Sequence, residues 1–515
     1  APGSPYCNVS AAHYYVPLSH GVIGNTTVFG TVILGSSPGG RAFLMRRVGQ
    51  PMSGNATTAR GAESNSFWHT FTTKFIGTPP ESDLKHVEEN AGRYSLGFGT
   101  QNIGDQIVSA KTILPWFLSI VAAPAWIIPL LVPIRESGSM LPQALFRPWL
   151  QTKTSRLGFM QIGTLGQALA CAIMVAAALL TDGLLAGLII LGALALLSTC
   201  RSLVSLTSKD IAGRTVPKGF RGRLTGFATT LSGAVAILVG VAIQAARGEL
   251  TPTLFAVLFA IATVAWLASA WLFKGIREGV TKQEQKDLPQ GTSYLRDVFA
   301  DIVDLVRSDG DFRRFVLLRS LLLASALSPT FLVTMANQQS VAEESSVASA
   351  IFTGLGTFVI AAGVASLLAG RVSGWLSDVS SRNTLTGAAL LATVVLIITV
   401  ALGYASSISD AHTWTTALVW WLPIAFFIIS LAHAAIRVAR STYIVDMAEG
   451  TQRTRYVSVA NTLMGVLLLI VGALTSALAM VSPEVALGAL ALFGLLGAGL
   501  SHTLPEVSVG KENVS

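Results

Sequence analysis

The stretch Arg223-Leu-Thr-Gly226-Phe-Ala-Thr-Thr-Leu-Ser-Gly233 returns later in the chain as Arg455-Tyr-Val-Ser458-Val-Ala-Asn-Thr-Leu-Met-Gly465. Seven residues beyond each copy a further glycine follows, Gly240 in the first and Gly472 in the second. Other matches keep the same order around this pair. Arg201 stands nine residues before Asp210, and Arg437 stands nine before Asp446. Trp149-Leu150 precedes Arg156 by the step with which Trp375-Leu376 precedes Arg382, and Pro115-Trp-Phe-Leu118 is echoed by Pro329-Thr-Phe-Leu332. Chance does not keep four separate matches in order, so the chain reads as a duplicated unit.

The solvent of that unit is lipid. Of 515 residues, 51% are hydrophobic and only 12% are charged, with a mean hydropathy of +0.60. A soluble domain carries about 25% charged residues, so soluble, fibrous, disordered and disulfide-rich secreted classes are excluded. Cys7, Cys171 and Cys200 have neither metal-ligand spacing nor the number for a disulfide framework.

Residues 1–95 are rich in Gly, Ser, Thr, Asn and Pro and hold no apolar run of spanning length, so they are expected to form a disordered cytoplasmic tail. No basic segment followed by an apolar one suggests a signal peptide there, and the sequons at Asn8, Asn25 and Asn55 are common for this composition. Beyond the tail, twelve apolar runs recur. They fall near 97–121, 124–146, 157–180, 184–208, 224–246 and 252–274, then near 313–336, 347–370, 383–404, 414–438, 456–480 and 484–502. The expected organisation is a six-helix half over 96–274, a cytoplasmic linker over 275–312, a second half over 313–502 and a tail over 503–515. Within the linker Leu295, Val298, Phe299, Ile302, Val303 and Val306 recur at helical spacing and predict an amphipathic surface helix.

Loop charges set the orientation. Arg147, Lys153, Arg156, Lys209, Arg214, Lys218, Arg221, Arg223, Arg371, Arg382, Arg440, Arg453 and Arg455 fall in loops on the linker's side, against Arg247 on the other. The positive-inside rule puts both termini and the linker in the cytoplasm. The net charge of +8 is therefore topogenic, and no nucleic-acid partner is expected.

Twelve spans in a six-plus-six repeat with a long central linker resemble the major facilitator superfamily of secondary transporters. The most specific motif is Gly374-Trp-Leu376-Ser377-Asp378-Val-Ser-Ser-Arg382, which is similar to that superfamily's loop between spans eight and nine. The resemblance implies a conformational latch at Gly374, Asp378 and Arg382. The first-half counterpart, Pro148-Trp-Leu150-Gln-Thr152-Lys153-Thr-Ser-Arg156, lacks the glycine and the aspartate. Pro217-Lys-Gly-Phe-Arg221-Gly222-Arg223 resembles the superfamily's loop entering span five, but the proline-glycine signature of drug:proton antiporters is absent from that span. Gly226, Gly233 and Gly240 in span five, with Gly465 and Gly472 in span eleven, are expected to be helix-packing positions.

An ionisable residue at the centre of a span costs about 2.5–3.5 kcal/mol on insertion scales, so each needs a reason. The deep set is Asp105, Lys111, Arg135, Glu136, Arg201, Arg319 and Arg437, with His433 one turn from Arg437 and read as a packed or hydrogen-bonded residue. Spans one, four, seven and ten line the cavity in the resembled superfamily, so these residues are assigned to a substrate and proton cavity; the competing accounts are structural ion pairs for Lys111, Arg135 and Glu136, and side chains reaching the membrane interface for Arg201, Arg319 and Arg437. Five bases against two acids point to an anionic solute. The expectation is a monomeric, multi-pass protein of the inner (plasma) membrane that is no enzyme and needs no cofactor or metal. It moves a small solute by alternating access, coupled to protons or another ion. Polyspecific drug or metabolite efflux, and a non-transporting receptor or assembly factor of the same fold, are the alternatives.

Overall fold

The computed structural model describes residues 66–80, 84, 86–151, 155–217, 220–245, 250–278, 293–342, 354–408, 412–447 and 450–505, and among them there is no strand. Twelve spans in two six-helix halves form an all-α membrane protein. The first half comprises span one (Val87–Ile107 and Ile113–Ile120), span two (Ala125–Leu130 and Leu131–Gln151), span three (Leu157–Leu180), span four (Gly183–Thr215), span five (Arg221–Ala245) and span six (Pro252–Lys274). The second half comprises span seven (Gly310–Leu321 and Ala324–Ala342), span eight (Leu355–Val379), span nine (Ser381–Ile408), span ten (His412–Met447), span eleven (Gly450–Ala479) and span twelve (Pro483–His502). Between the halves, the linker carries a helix at Ser293–Ser308. That helix buries Ile302 and Leu305 against the second half and leaves Phe299 and Val303 exposed.

Three expectations are corrected here. The tail does not run unstructured to residue 95, because Ser66–Phe71 and Val87 onward are helical. The opening of span one escapes a hydropathy reading because its buried face is polar and glycine-rich. Glu89, Asn90, Ser95 and Gln101 are all buried, and Gly92 and Gly104 admit the rings of Trp68 and Trp266, which a Cβ would meet at 2.7 and 3.0 Å. Neither is span one continuous, since it is broken between Ile107 and Ile113. Span seven breaks at the matching place, between Leu321 and Ala324. Spans four and ten also outrun their expected ends, reaching Thr215 and Met447. The rest of the expected tail, including the three sequons, lies outside the described residues.

The halves meet along two seams. Span five lies against span eight through facing glycines: a Cβ on Gly233 would stand 3.1 Å from the Gly363 carbonyl oxygen, and one on Gly240 would stand 2.8 Å from that of Gly356. Small residues allow such backbone approach where lipid offers no hydrophobic drive for helix association. Span two lies against span eleven, where Gly465 faces Leu141, Gly472 faces Pro133, and the Ser137 hydroxyl donates to the Gly465 carbonyl at 2.8 Å. The Ser476 hydroxyl donates to the Trp126 carbonyl at 2.6 Å. The contacts of Gly240, Gly472 and Ser476 fall toward the ends of the spans remote from the linker, and those of Gly233 and Gly465 fall near mid-span. Toward the linker end, a Cβ on Gly226 would meet nothing within 4 Å.

A cluster at the linker end holds the first half together. The Glu278 carboxylate, just past span six, accepts from the amides of Arg156 at 2.9 Å and Leu157 at 3.2 Å, and from the Ser155 hydroxyl at 2.8 Å. It also pairs with Arg214 at the end of span four at 3.0 Å. A carboxylate thus sits at the N-terminus of span three, where the helix dipole favours it. It comes from the linker rather than from the preceding loop, whose missing aspartate the sequence shows. Next to it, the Arg277 amide donates to Asn90 Oδ1 at 2.8 Å and ties span six to span one. In the second half Asp309 caps span seven, accepting from the Asp311 and Phe312 amides at 2.9 Å and from the Tyr456 hydroxyl. Partial burial acts to raise this carboxyl, but those hydrogen bonds outweigh it and hold it below the usual range. Its contribution is present above the unfolded-state pKa and is lost as pH falls through the folded one.

Two outcomes follow for purified protein in detergent. Gly240→Leu forces spans five and eight apart and lowers stability by at least the 1–3 kcal/mol typical of overpacking, whereas Gly226→Leu leaves the melting temperature unchanged. Glu278→Gln removes charge-assisted bonds worth about 1.5–3 kcal/mol each and lowers the melting temperature, read by thermal unfolding.

Candidate functional site: a charged cavity between the halves

The break in span one sets the cavity wall. After Ile107 the chain leaves the helix for five residues, Val108–Thr112, and re-enters it at Ile113. Ser109 accepts the turn's bonds: its carbonyl takes the Leu114 amide at 3.0 Å and its hydroxyl takes the Lys111 amide at 3.3 Å. This unwound segment delivers Lys111 and Thr112 to a cavity of about 480 Å3. Span one also contributes Asn102, Asp105 and Gln106; spans two and four contribute Glu136 and Arg201. From the second half, span ten contributes His433, Arg437 and Arg440.

The charges divide into two groups. Asp105 is shared by two guanidinium groups, Arg135 on one carboxylate oxygen and Arg201 on the other. That bridge joins spans one, two and four, with Arg135 and Asp105 only 14% and 17% exposed. Breaking such a pair leaves uncompensated charge in a poorly hydrated place. Glu136, one residue on, points to the other group. It is within electrostatic reach of Lys111 in its own half and of Arg440 across the cavity. None of Lys111, Glu136, Arg437 and Arg440 makes a direct ion pair with a described residue. The adjacent residues Arg135 and Glu136 therefore serve opposite sides, as their divergence on a helix requires.

Of the seven deep charges marked in the sequence, Asp105, Lys111, Glu136, Arg201 and Arg437 line the cavity and Arg135 stands behind Asp105. Arg319 is elsewhere. It is 7% exposed and donates to Asn461 Oδ1 at 2.9 Å, in the packing between spans seven and eleven. Two cavity residues were not assigned to it from the sequence. His433, read as a packed residue, lines the wall and lies 3.3 Å from the Ser325 hydroxyl through Nδ1. Arg440, read as a loop charge, lies inside span ten because that helix runs on to Met447. The signal that could have found it is the i, i+3 spacing of Arg437 and Arg440, which stacks both on one helix face.

The residues expected to form a latch sit where spans eight and nine meet. Gly374 and Asp378 fall in the last turns of span eight, with their side chains outside the described residues. Arg382, in the first turn of span nine, donates to the Leu504 carbonyl at 3.4 Å.

No model of a known protein family matches the sequence, and no curated protein matches it. Solved structures do. A POT family transporter in complex with a thioalcohol-conjugated peptide is similar over 83% of this chain and 98% of its own, with a TM-score of 0.62 at 11% identity. The nucleoside transporter NupG is similar over 80% and 99%, with a TM-score of 0.61 at 12% identity. A D-xylose-proton symporter gives 82% and 99%, with a TM-score of 0.61 at 13% identity. The chain has the major facilitator fold. At these identities the likeness is one of fold.

Asp105→Asn strips both arginines of their carboxylate, so it is expected to cost about 3–5 kcal/mol and lower the yield of folded protein. Glu136→Gln, which breaks no direct pair, stays near the parental melting temperature; the two variants are compared by size-exclusion and thermal unfolding.

Proposed function

We propose that this chain is a secondary active transporter, not an enzyme, which moves a small anionic solute by alternating access through the cavity between its halves. The observation that carries the reading is the cavity wall, where Lys111, Arg201, Arg437 and Arg440 converge from both halves around two acids, Asp105 and Glu136, with Arg135 behind Asp105. Charged groups in a membrane protein are costly, and such a wall serves a solute that enters it. The positive field concentrates anions, and arginine offers planar donors to carboxylate or phosphate. The seams at the end remote from the linker close one mouth. With the termini and linker in the cytoplasm of the inner (plasma) membrane, this arrangement is the cytoplasm-facing state of a monomer.

Glu136 is the group suited to couple transport to protons. Asp105 is engaged by two arginines, whereas the Glu136 carboxylate faces cations of both halves without a direct pair. Its charge draws Lys111 and Arg440 toward one another across the cavity. A proton placed on Glu136 abolishes that attraction and loosens the halves, and a solute anion between the same cations competes for them. The sugar, peptide and nucleoside transporters of like fold support the class of activity, and among those three only the xylose carrier is named as a proton symporter. At the boundary of spans eight and nine, Asp378 and Arg382 act as the latch that holds one state.

Proteoliposome flux tests the reading. Parental protein accumulates a labelled organic anion faster with an imposed pH gradient, and Arg437→Ala lowers the rate at least tenfold. Glu136→Gln retains exchange but loses dependence on the gradient, while Asp378→Asn slows transport without lowering expression. Parental rates in Arg437→Ala would remove the cavity from the pathway.

A further inference from the structure

We infer that the solute recognised here is a small dianion, an organic molecule whose two negative charges span the cavity from one half to the other. The inference rests on the anion-transport reading and follows from which charges are already spent. Asp105 takes up Arg135 and Arg201 directly, one on each carboxylate oxygen, so that group supplies a bound, structural unit. Lys111, Arg437 and Arg440 remain, and against them the cavity offers a single further acid, Glu136. None of the three bases has a direct ion-pair partner among the described residues. Glu136 offsets one of these three, and the bridge, one acid between two bases, keeps a further positive charge, so the seven groups together hold a net charge of plus three. A dianion therefore offsets more of this excess than a monoanion does.

Placement adds to the count. Lys111 projects from the unwound segment of span one, and the helix that starts directly after it, Ile113–Ile120, turns its N-terminal dipole toward the same wall through Thr112. Arg437 and Arg440 stand on span ten in the other half. The two cationic stations therefore belong to bodies that must move relative to each other, and a solute with an anionic group at each end engages both at once. A solute with one charge engages only one station and does nothing to draw the halves together. Hydroxyls between the stations, among them Ser232 and Ser430, suit a polar skeleton. Dicarboxylates have this chemistry, with a carboxylate at each end of one skeleton, whereas a phosphate monoester holds both charges on a single phosphoryl group.

Binding to purified full-length protein in detergent at pH 7.5 separates these outcomes. Succinate is paired with its monomethyl ester, and glycerol 3-phosphate with its methyl phosphodiester, each titrated by calorimetry at low and at raised salt; glucose and a neutral dipeptide complete the series. Succinate is expected to bind tenfold or more tightly than its monomethyl ester, and a comparable ratio confined to the glycerol 3-phosphate pair overturns the inference that the two charges span the cavity. Arg440→Gln and Lys111→Gln, one in each half, are each expected to bring the succinate ratio to within twofold. Should one variant fail to fold, the other gives the result. Equal affinity for monoanion and dianion overturns the dianion inference while leaving anion transport in place. Binding of only the neutral probes overturns both, and a series in which nothing binds overturns the dianion inference. A preference for dianions that survives in both variants also overturns it, because it would lie outside this cavity.

Discussion

The bridge in which Asp105 serves Arg135 and Arg201 together is the constraint around which the first half is built. Three spans carry charges that lipid would reject separately, and the shared carboxylate makes their burial possible in one place. Because both oxygens are engaged, the geometry of spans one, two and four is fixed at the depth of the cavity. Glu136 is then left facing away from the bridge, into the cavity. One residue of helical rotation separates a structural role from a functional one.

The second requirement is that two such halves touch firmly at one end and part at the other. Facing glycines meet it between spans five and eight, since a close backbone approach gives many dispersion contacts with few side chains to disentangle. Spans two and eleven use a mixed solution, with Pro133 and Leu141 seated on glycines and two serine hydroxyls donating across the seam. The linker-end cluster at Glu278 works differently. Its contacts stay within the first half, so it stiffens that body without hindering movement against the other.

Spans three, four, six and twelve were plain in the sequence because each holds a long apolar stretch. Among the described residues, nine helices are long and apolar enough to cross a membrane, and spans one and two are not among them. Both carry polar and charged residues of the cavity, Asn102, Asp105, Lys111 and Glu136 among them, which lower their hydropathy. Glu89, Asn90 and Gln101 hid the start of span one, since hydropathy counts their polarity but not their partners. Arg440 was lost to the topology rule for a related reason: an arginine near the end of an apolar run reads as a loop charge unless the helix is known to continue. Arg319 shows the opposite error, a deep charge that packs against span eleven instead of facing the cavity. The repeat itself was legible from glycines and prolines, whose backbone roles leave little freedom.

The breaks in spans one and seven carry a chronology. Val108 and Leu322, where the helices stop, each stand seven residues before the matched prolines Pro115 and Pro329. Two independent inventions would have no cause to choose the same register, so the interruption was already present in the single six-helix ancestor before its gene doubled. The side chains around it then went separate ways, an acid at Asp105 and a base at Arg319. The shared register of the break is thus older than the difference in charge beside it.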